Sequence, residues 1–137
     1  MLLAAGANID AAMNDGTTPL YLAVLFSNED TVSALLAAGA NVHATLHSGT
    51  THLYIAAHNG DTIIARMLLA AGAGVDVADN EGWRPLLIAV YTNSVETATL
   101  LLDTGADVNA RTNTGKSPLL GATRPDMRAL IVARGGV

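Results

Sequence analysis

His43, His47, His52 and His58 fall close together, and of all the side chains in this 137-residue chain they are the ones suited to metal binding or proton transfer near neutral pH. His43 and His47 are four apart, a spacing that pairs two imidazoles only on a helix. The polar stretch around them predicts a loop, so that geometry does not apply. No cysteine joins them and no carboxylate stands at a ligand spacing, so neither a metal nor a cofactor is expected. What they suggest is a pH-sensitive patch. No serine lies in a nucleophile elbow and no acid pair is set by spacing, so catalysis is not expected. The remaining chemistry is recognition by aromatic and polar groups: Tyr54, His58, Trp83 and Tyr91 could line a groove. A small-molecule binder, or a rare enzyme, built around those four is the alternative to a protein-binding surface.

Bulk properties narrow the choice further. Half of the residues are apolar and only 14 % are charged, which excludes a disordered tail and supports one domain. Aromatics make up 4 %, so alanine and leucine carry the core, as suits small helices packed closely. The net charge of −5 is unevenly spread: two basic against eleven acidic side chains in residues 1–110, and five against one in residues 111–137. An acidic body argues against nucleic acid, where a basic stripe supplies most of the affinity. No stretch approaches the length of a membrane span and no cationic leader opens the chain. The expectation is an intracellular protein, in the cytoplasm or nucleus, without a membrane partner.

The elements that must position these residues are set by internal repetition. Gly16, Gly49, Gly82 and Gly115 are separated by 33 positions each, and so are Gly6, Gly39, Gly72 and Gly105. Around the first set stand Gly16-Thr17-Thr18-Pro19-Leu20, Gly49-Thr50-Thr51-His52-Leu53, Gly82-Trp83-Arg84-Pro85-Leu86 and Gly115-Lys116-Ser117-Pro118-Leu119. Thr18, Thr51 and Ser117 can cap a helix, with proline next at a position where no N–H is missed. A first helix from Leu20 should end in a polar turn at Asn28-Glu29-Asp30. Val32, Leu35 and Leu36 then recur at helical spacing as the inner face of a second helix. Gly39 lies where that helix stops in a left-handed residue.

This pattern resembles the ankyrin repeat over essentially the whole chain. The family's threonine-proline-leucine-histidine motif appears as Thr18-Pro19-Leu20-Tyr21, Thr51-His52-Leu53-Tyr54, Arg84-Pro85-Leu86-Leu87 and Ser117-Pro118-Leu119-Leu120. The family histidine is absent from all four, and His52 replaces one proline, departures expected to weaken hydrogen bonding between repeats. The resemblance implies an all-α solenoid of paired antiparallel helices with projecting β-hairpin-like loops. Three full repeats, 13–45, 46–78 and 79–111, follow a partial one at 1–12 and precede a shortened capping repeat at 112–137. Within the last repeat Pro125 should end the first helix by Thr123, Asp126 should cap the second, and Gly121 should loosen the first.

The resemblance also implies a function, the binding of another protein by the hairpin loops and the inner face of the first helices. By register those positions are Asn14, Asp15, Thr17, Leu25 and Phe26; His47, Ser48, Thr50, His58 and Asn59; Asn80, Glu81, Trp83, Tyr91 and Thr92; and Lys116. Trp83, the only tryptophan, sits at a solvent-facing position of the pattern and is expected within reach of Tyr91 and His58. Aromatic anchors of this kind dominate interfaces. Asn109, with Leu102 seven residues before it, matches the asparagine that an intracellular hydroxylase modifies in this family. Met1 to Ala5 supply only the last turn of a missing helix, so the flank including Val24, Leu25, Phe26 and Val32 is expected to be incompletely covered. A weak homodimer through that N-terminal end follows from such exposure.

Overall fold

A computed structural model describes residues 8–137; Met1 to Ala5 lie outside the described residues. Eight helices are described: α1 (Pro19–Leu25), α2 (Glu29–Ala37), α3 (His52–Asn59), α4 (Thr62–Ala70), α5 (Pro85–Tyr91), α6 (Val95–Asp103), α7 (Pro118–Gly121) and α8 (Pro125–Ala133). Their beginnings are set locally. The hydroxyls of Thr18, Thr51 and Ser117 accept from the backbone N–H of Tyr21 (3.2 Å), Tyr54 (3.0 Å) and Leu120 (3.3 Å). Each such cap contributes about 1 kcal/mol. Arg84 stands at the same place before α5 and offers no side-chain cap.

The links within each pair differ from expectation in two places. Asn28 caps α2 by accepting from Thr31 N–H at 3.1 Å, so Glu29 and Asp30 open that helix and do not form the turn. Their carboxylates lie in the first turn, where the helix dipole favours them. Asp126 likewise does not cap α8. Pro125 takes the first helical position, which makes Arg124 the capping residue and puts Asp126 one step inside, accepting from Met127 N–H at 2.8 Å. The expected stop of α7 before Thr123 is observed.

The pairs stack in register. Within each pair the two helices pack together, and α1, α3, α5 and α7 form one row while α2, α4, α6 and α8 form a second. Leu20, Leu53 and Leu86 are buried in the first row, and Leu35, Leu68, Leu101 and Ile131 in the second. Val24 and Val32 were expected at an open flank but are fully buried, because both pack into the continuous core. Leu22, Leu25 and Phe26 are the large apolar residues of that first pair left exposed.

Loops join the pairs and stack as well. In each, an N–H reaches the carbonyl four residues on: Met13 to Thr17 (2.8 Å), Leu46 to Thr50 (3.0 Å), Asp79 to Trp83 (2.8 Å) and Thr112 to Lys116 (2.9 Å). One of these loops adds an isolated antiparallel bridge, Thr45 to Thr51. Consecutive loops are then tied by His47 N–H to Asp15 carbonyl, Asn80 to Ser48 and Asn113 to Glu81, all at 2.9 Å. Gly82 has φ of +85°, and a Cβ there would press on the Asn113 backbone N at 2.8 Å. Both facts demand glycine. No helix among the described residues is long and apolar enough to cross a membrane.

The turns between paired helices carry one strained residue. Ser27, Gly60 and Asn93 occupy matching positions with φ of 54°, 68° and 58°. The left-handed region suits glycine and tolerates asparagine, but it crowds a serine Cβ. Ser27→Gly should therefore raise stability by about 0.5–1 kcal/mol, read as a higher urea midpoint with an unchanged slope.

Candidate partner-binding face

The first-row helices and the hairpin loops bring part of the expected site together. Trp83 is half-buried at the base of its hairpin, held by the Asp79 carboxylate, which accepts from the N–H groups of both Glu81 and Trp83 at 2.9 Å. Tyr91, at the end of α5, meets the indole edge-on with ring centroids 5.2 Å apart. Lys116, from the next hairpin, places its Nζ 5.4 Å from the indole centroid. An edge-to-face pair contributes about 0.5–1.5 kcal/mol and an exposed cation–π contact about 0.5–1 kcal/mol, so the cluster is pre-formed and not merely adjacent.

Tyr91 owes its position to the last helix pair. Its hydroxyl donates to the Ser117 carbonyl at 3.3 Å, and its ring lies over Gly121. A Cβ on Gly121 would collide with that ring. The glycine expected to loosen α7 is thus a seat for an aromatic ring from the preceding repeat. Burial pushes the Tyr91 phenol above its ordinary range.

Tyr54 is part-buried on α3, and its phenol is raised by burial first and by the nearby carboxylates of Asp79 and Glu81 second. His58 is exposed and bonds only its neighbour Asn59, ring Nδ1 to Oδ1 at 3.5 Å. No ring contact joins it to Trp83 or Tyr91 among the described residues; Tyr91 pairs with Trp83 and lies over Gly121. His47 and Glu81 are exposed on the hairpins, and Phe26 is the most open of the apolar candidates at 74 % exposure.

Other expected contact residues are buried or engaged in bonds within the fold. Thr17 and Thr50 are buried, the first with its N–H on the Asp15 carboxylate and the second with its hydroxyl on Ser48 at 2.8 Å. The Thr17 hydrogen bonds hold the Asp15 carboxyl below the usual range. The two threonines occupy the register position of Trp83, yet small side chains there tuck against the hairpin while an indole cannot. Asn59 donates through Nδ2 to the carbonyls of Leu25 (3.2 Å) and Val24 (3.5 Å), and Thr92 donates to Ile88 carbonyl at 2.8 Å. These two side chains are engaged in joining and ending helices. Asn109 is exposed, but its Nδ2 donates to Gly135 carbonyl (3.2 Å) and its Oδ1 accepts from Val137 N–H (3.0 Å).

No group of three or more His, Cys, Asp or Glu side chains among the described residues is placed to hold a metal ion. Three of the surface recesses are lined in turn by residues around Asn59 and Glu96, around Leu22 and Phe26, and around Val42 and Val77. None of the three is lined by Tyr54, His58, Trp83 or Tyr91.

Sequence signals could have found two features that went unread. His52, in the place of a proline, is buried and bonds both Val42 carbonyl (Nδ1, 3.1 Å) and Thr18 hydroxyl (Nε2, 3.4 Å) of the preceding repeat. The loss of the family motif therefore does not simply weaken the contact between repeats at this point. Its signal was a polar ring where the pattern predicts a buried position. The pairing of Tyr91 with Gly121 was signalled by a large residue preceding a missing side chain thirty positions later.

A family model described as ankyrin repeats in three copies matches residues 38–112, and a single ankyrin repeat model matches residues 15–45. No curated protein matches the chain. Residues 113–137 lie beyond both matches, and they contain the seat of Tyr91. Gly121→Ala should displace that ring, destabilise the protein by about 1–3 kcal/mol and red-shift Trp83 emission as its edge-on partner moves away. An unchanged spectrum with unchanged stability would contradict the seat.

Proposed function

The chain belongs to the ankyrin repeat family, and from that premise we propose that it binds another protein along the face built by its hairpin loops and first-row helices. The observation that supports this reading is the cluster of Trp83, Tyr91 and Lys116. An indole that is partly exposed, braced by an aromatic neighbour and held on a stacked scaffold loses little freedom on binding. Trp83, Tyr91 and Lys116 form the anchor of the proposed surface, with Glu81 and His47 on the adjoining loops and His58 and Phe26 extending it along the first-row helices. Thr17, Thr50, Asn59 and Thr92 act behind that surface by fixing the hairpins and helix ends that present it.

Capture of a partner from lysate followed by titration calorimetry tests the assignment. Trp83→Ala should weaken binding about thirtyfold or more, the equivalent of about 2 kcal/mol, while urea unfolding shifts only modestly. Thr92→Ala should leave affinity within about twofold. If Trp83→Ala binds like the unaltered protein, the anchor is elsewhere.

A second reading, self-association through the N-terminal end, is favoured by the recess of about 340 Å³ formed by Pro19, Leu22, Ala23, Phe26, Asn28 and Thr31. Apolar surface of this kind tends to find a partner. Sedimentation over a hundredfold concentration range should show a weak dimer that Phe26→Asp abolishes. A species that sediments as a monomer throughout would dismiss it.

A further inference from the structure

Three of the four histidines, His43, His47 and His52, stand along one junction, the one between the first helix pair (α1 and α2) and the second (α3 and α4). Elsewhere, side-chain bonds tie each repeat to the next. On the hairpins, Asn80 Nδ2 donates to His47 carbonyl (3.1 Å) and Asn113 Nδ2 to Asn80 carbonyl (3.0 Å). On the turns after the second-row helices, Asp10 accepts from Asn41 N–H (2.8 Å), Asp76 from Asp107 N–H (2.9 Å) and Asn109 from Val137 N–H (3.0 Å). At the first junction the matching positions are His47, His43 and Gly74. No equivalent bond forms at them among the described residues: His47 stands where asparagine donates on the other hairpins, and His43 stands where an aspartate or asparagine oxygen accepts from a backbone N–H. The remaining polar ties are His47 N–H to Asp15 carbonyl, the Asn59 carboxamide, and the buried His52.

His52 has a defined protonation state in this setting. A carbonyl only accepts, so Nδ1 carries the proton toward Val42, and Nε2 must accept from the Thr18 hydroxyl. Protonating Nε2 reverses the second bond. The hydroxyl, which already accepts from Tyr21 N–H, would have to turn and accept again. Burial holds the imidazole below its ordinary range, opposed more weakly by the Val42 bond and by the Asp10 carboxylate. The groups facing the ring are Thr18 and the Tyr21 ring (6.2 Å between centroids) from α1 and its cap, Val42 from the preceding loop, and Asp10 from the first turn. Asp10 is the one charged group among these.

We propose that this junction is a proton-operated hinge line, at which α1 and α2 part from α3 and α4 below neutral pH while the other pairs remain stacked. The closed junction holds a neutral ring, whereas the opened one exposes an imidazole free to take a proton. The contribution of the neutral ring to the closed junction is therefore complete above the ordinary histidine range and declines as pH falls from there toward the lowered value of the buried ring. A stack held by nearest-neighbour contacts can open at one interface without melting. Opening would carry Leu25 and Phe26 away from His58, dividing the proposed binding face. The hinge stands or falls independently of any partner.

Segment-resolved hydrogen exchange at pH 7.5 and 5.5, corrected for intrinsic rates, tests it. Protection of residues 19–37 should fall about tenfold more than that of residues 95–103, one decade for the pH unit below the ordinary histidine value. His52→Pro restores the residue found before Leu20, Leu86 and Leu119, and His52→Gln keeps a neutral hydrogen-bonding group. Both should abolish the tenfold difference, whereas His47→Asn should retain it. Persistence of the difference in both His52 variants, its loss in His47→Asn, or parallel loss of protection in residues 95–103 would each overturn the hinge.

Discussion

Everything in this molecule depends on how closely one hairpin lies against the next. The N–H groups of His47, Asn80 and Asn113 each reach a carbonyl of the preceding loop at 2.9 Å, and that distance sets the spacing of the whole stack. Glycine at the turn permits the approach, and alanines such as Ala56, Ala65, Ala89 and Ala98 permit the helices beneath to keep the same step. Larger side chains then find room only where a neighbour gives way. Tyr91 has such a place because Gly121 has no side chain. Its ring in turn braces the indole on which the proposed binding face centres.

A fixed step also means that each junction must be made secure by itself, since repeats touch only their neighbours. The junctions use different devices. A buried hydroxyl pair, Thr62 to Thr97 at 2.9 Å, joins the second pair to the third. The Tyr91 hydroxyl joins the third to the fourth, reinforced by the Arg134–Asp103 pair at 2.7 Å, an exposed contact of small worth. At the first junction an ionisable ring does this work, so one interface responds to protons while its neighbours do not.

The period, the helix starts and most of the core were legible in the sequence because each follows from a local rule. A hydroxyl before proline caps a helix, and a buried leucine recurs every 33 residues. What was not legible depends on atoms from two repeats at once. Thr17 and Thr50 share a register with Trp83, but only side-chain size decides which of them reaches solvent. Val24 and Val32 are covered by the core although they sit in the first described pair. Asn59 and Thr92 read as contact residues because they are polar and well placed, yet carbonyls near helix ends claim them first. Tyr91 lies over a glycine that looked like a defect in the sequence.

Lys116 above the Trp83 ring has a consequence for selectivity. The face of an indole attracts cations of every origin, and here a resident ammonium already occupies it. An incoming arginine or lysine must evict that group and gains only the difference between two similar attractions. A carboxylate approaching the same spot meets the ammonium directly and leaves it in place. The indole is thereby converted from a general cation receptor into an apolar floor beneath an anion-directed lid, a preference opposite in sign to that of the acidic remainder of the chain.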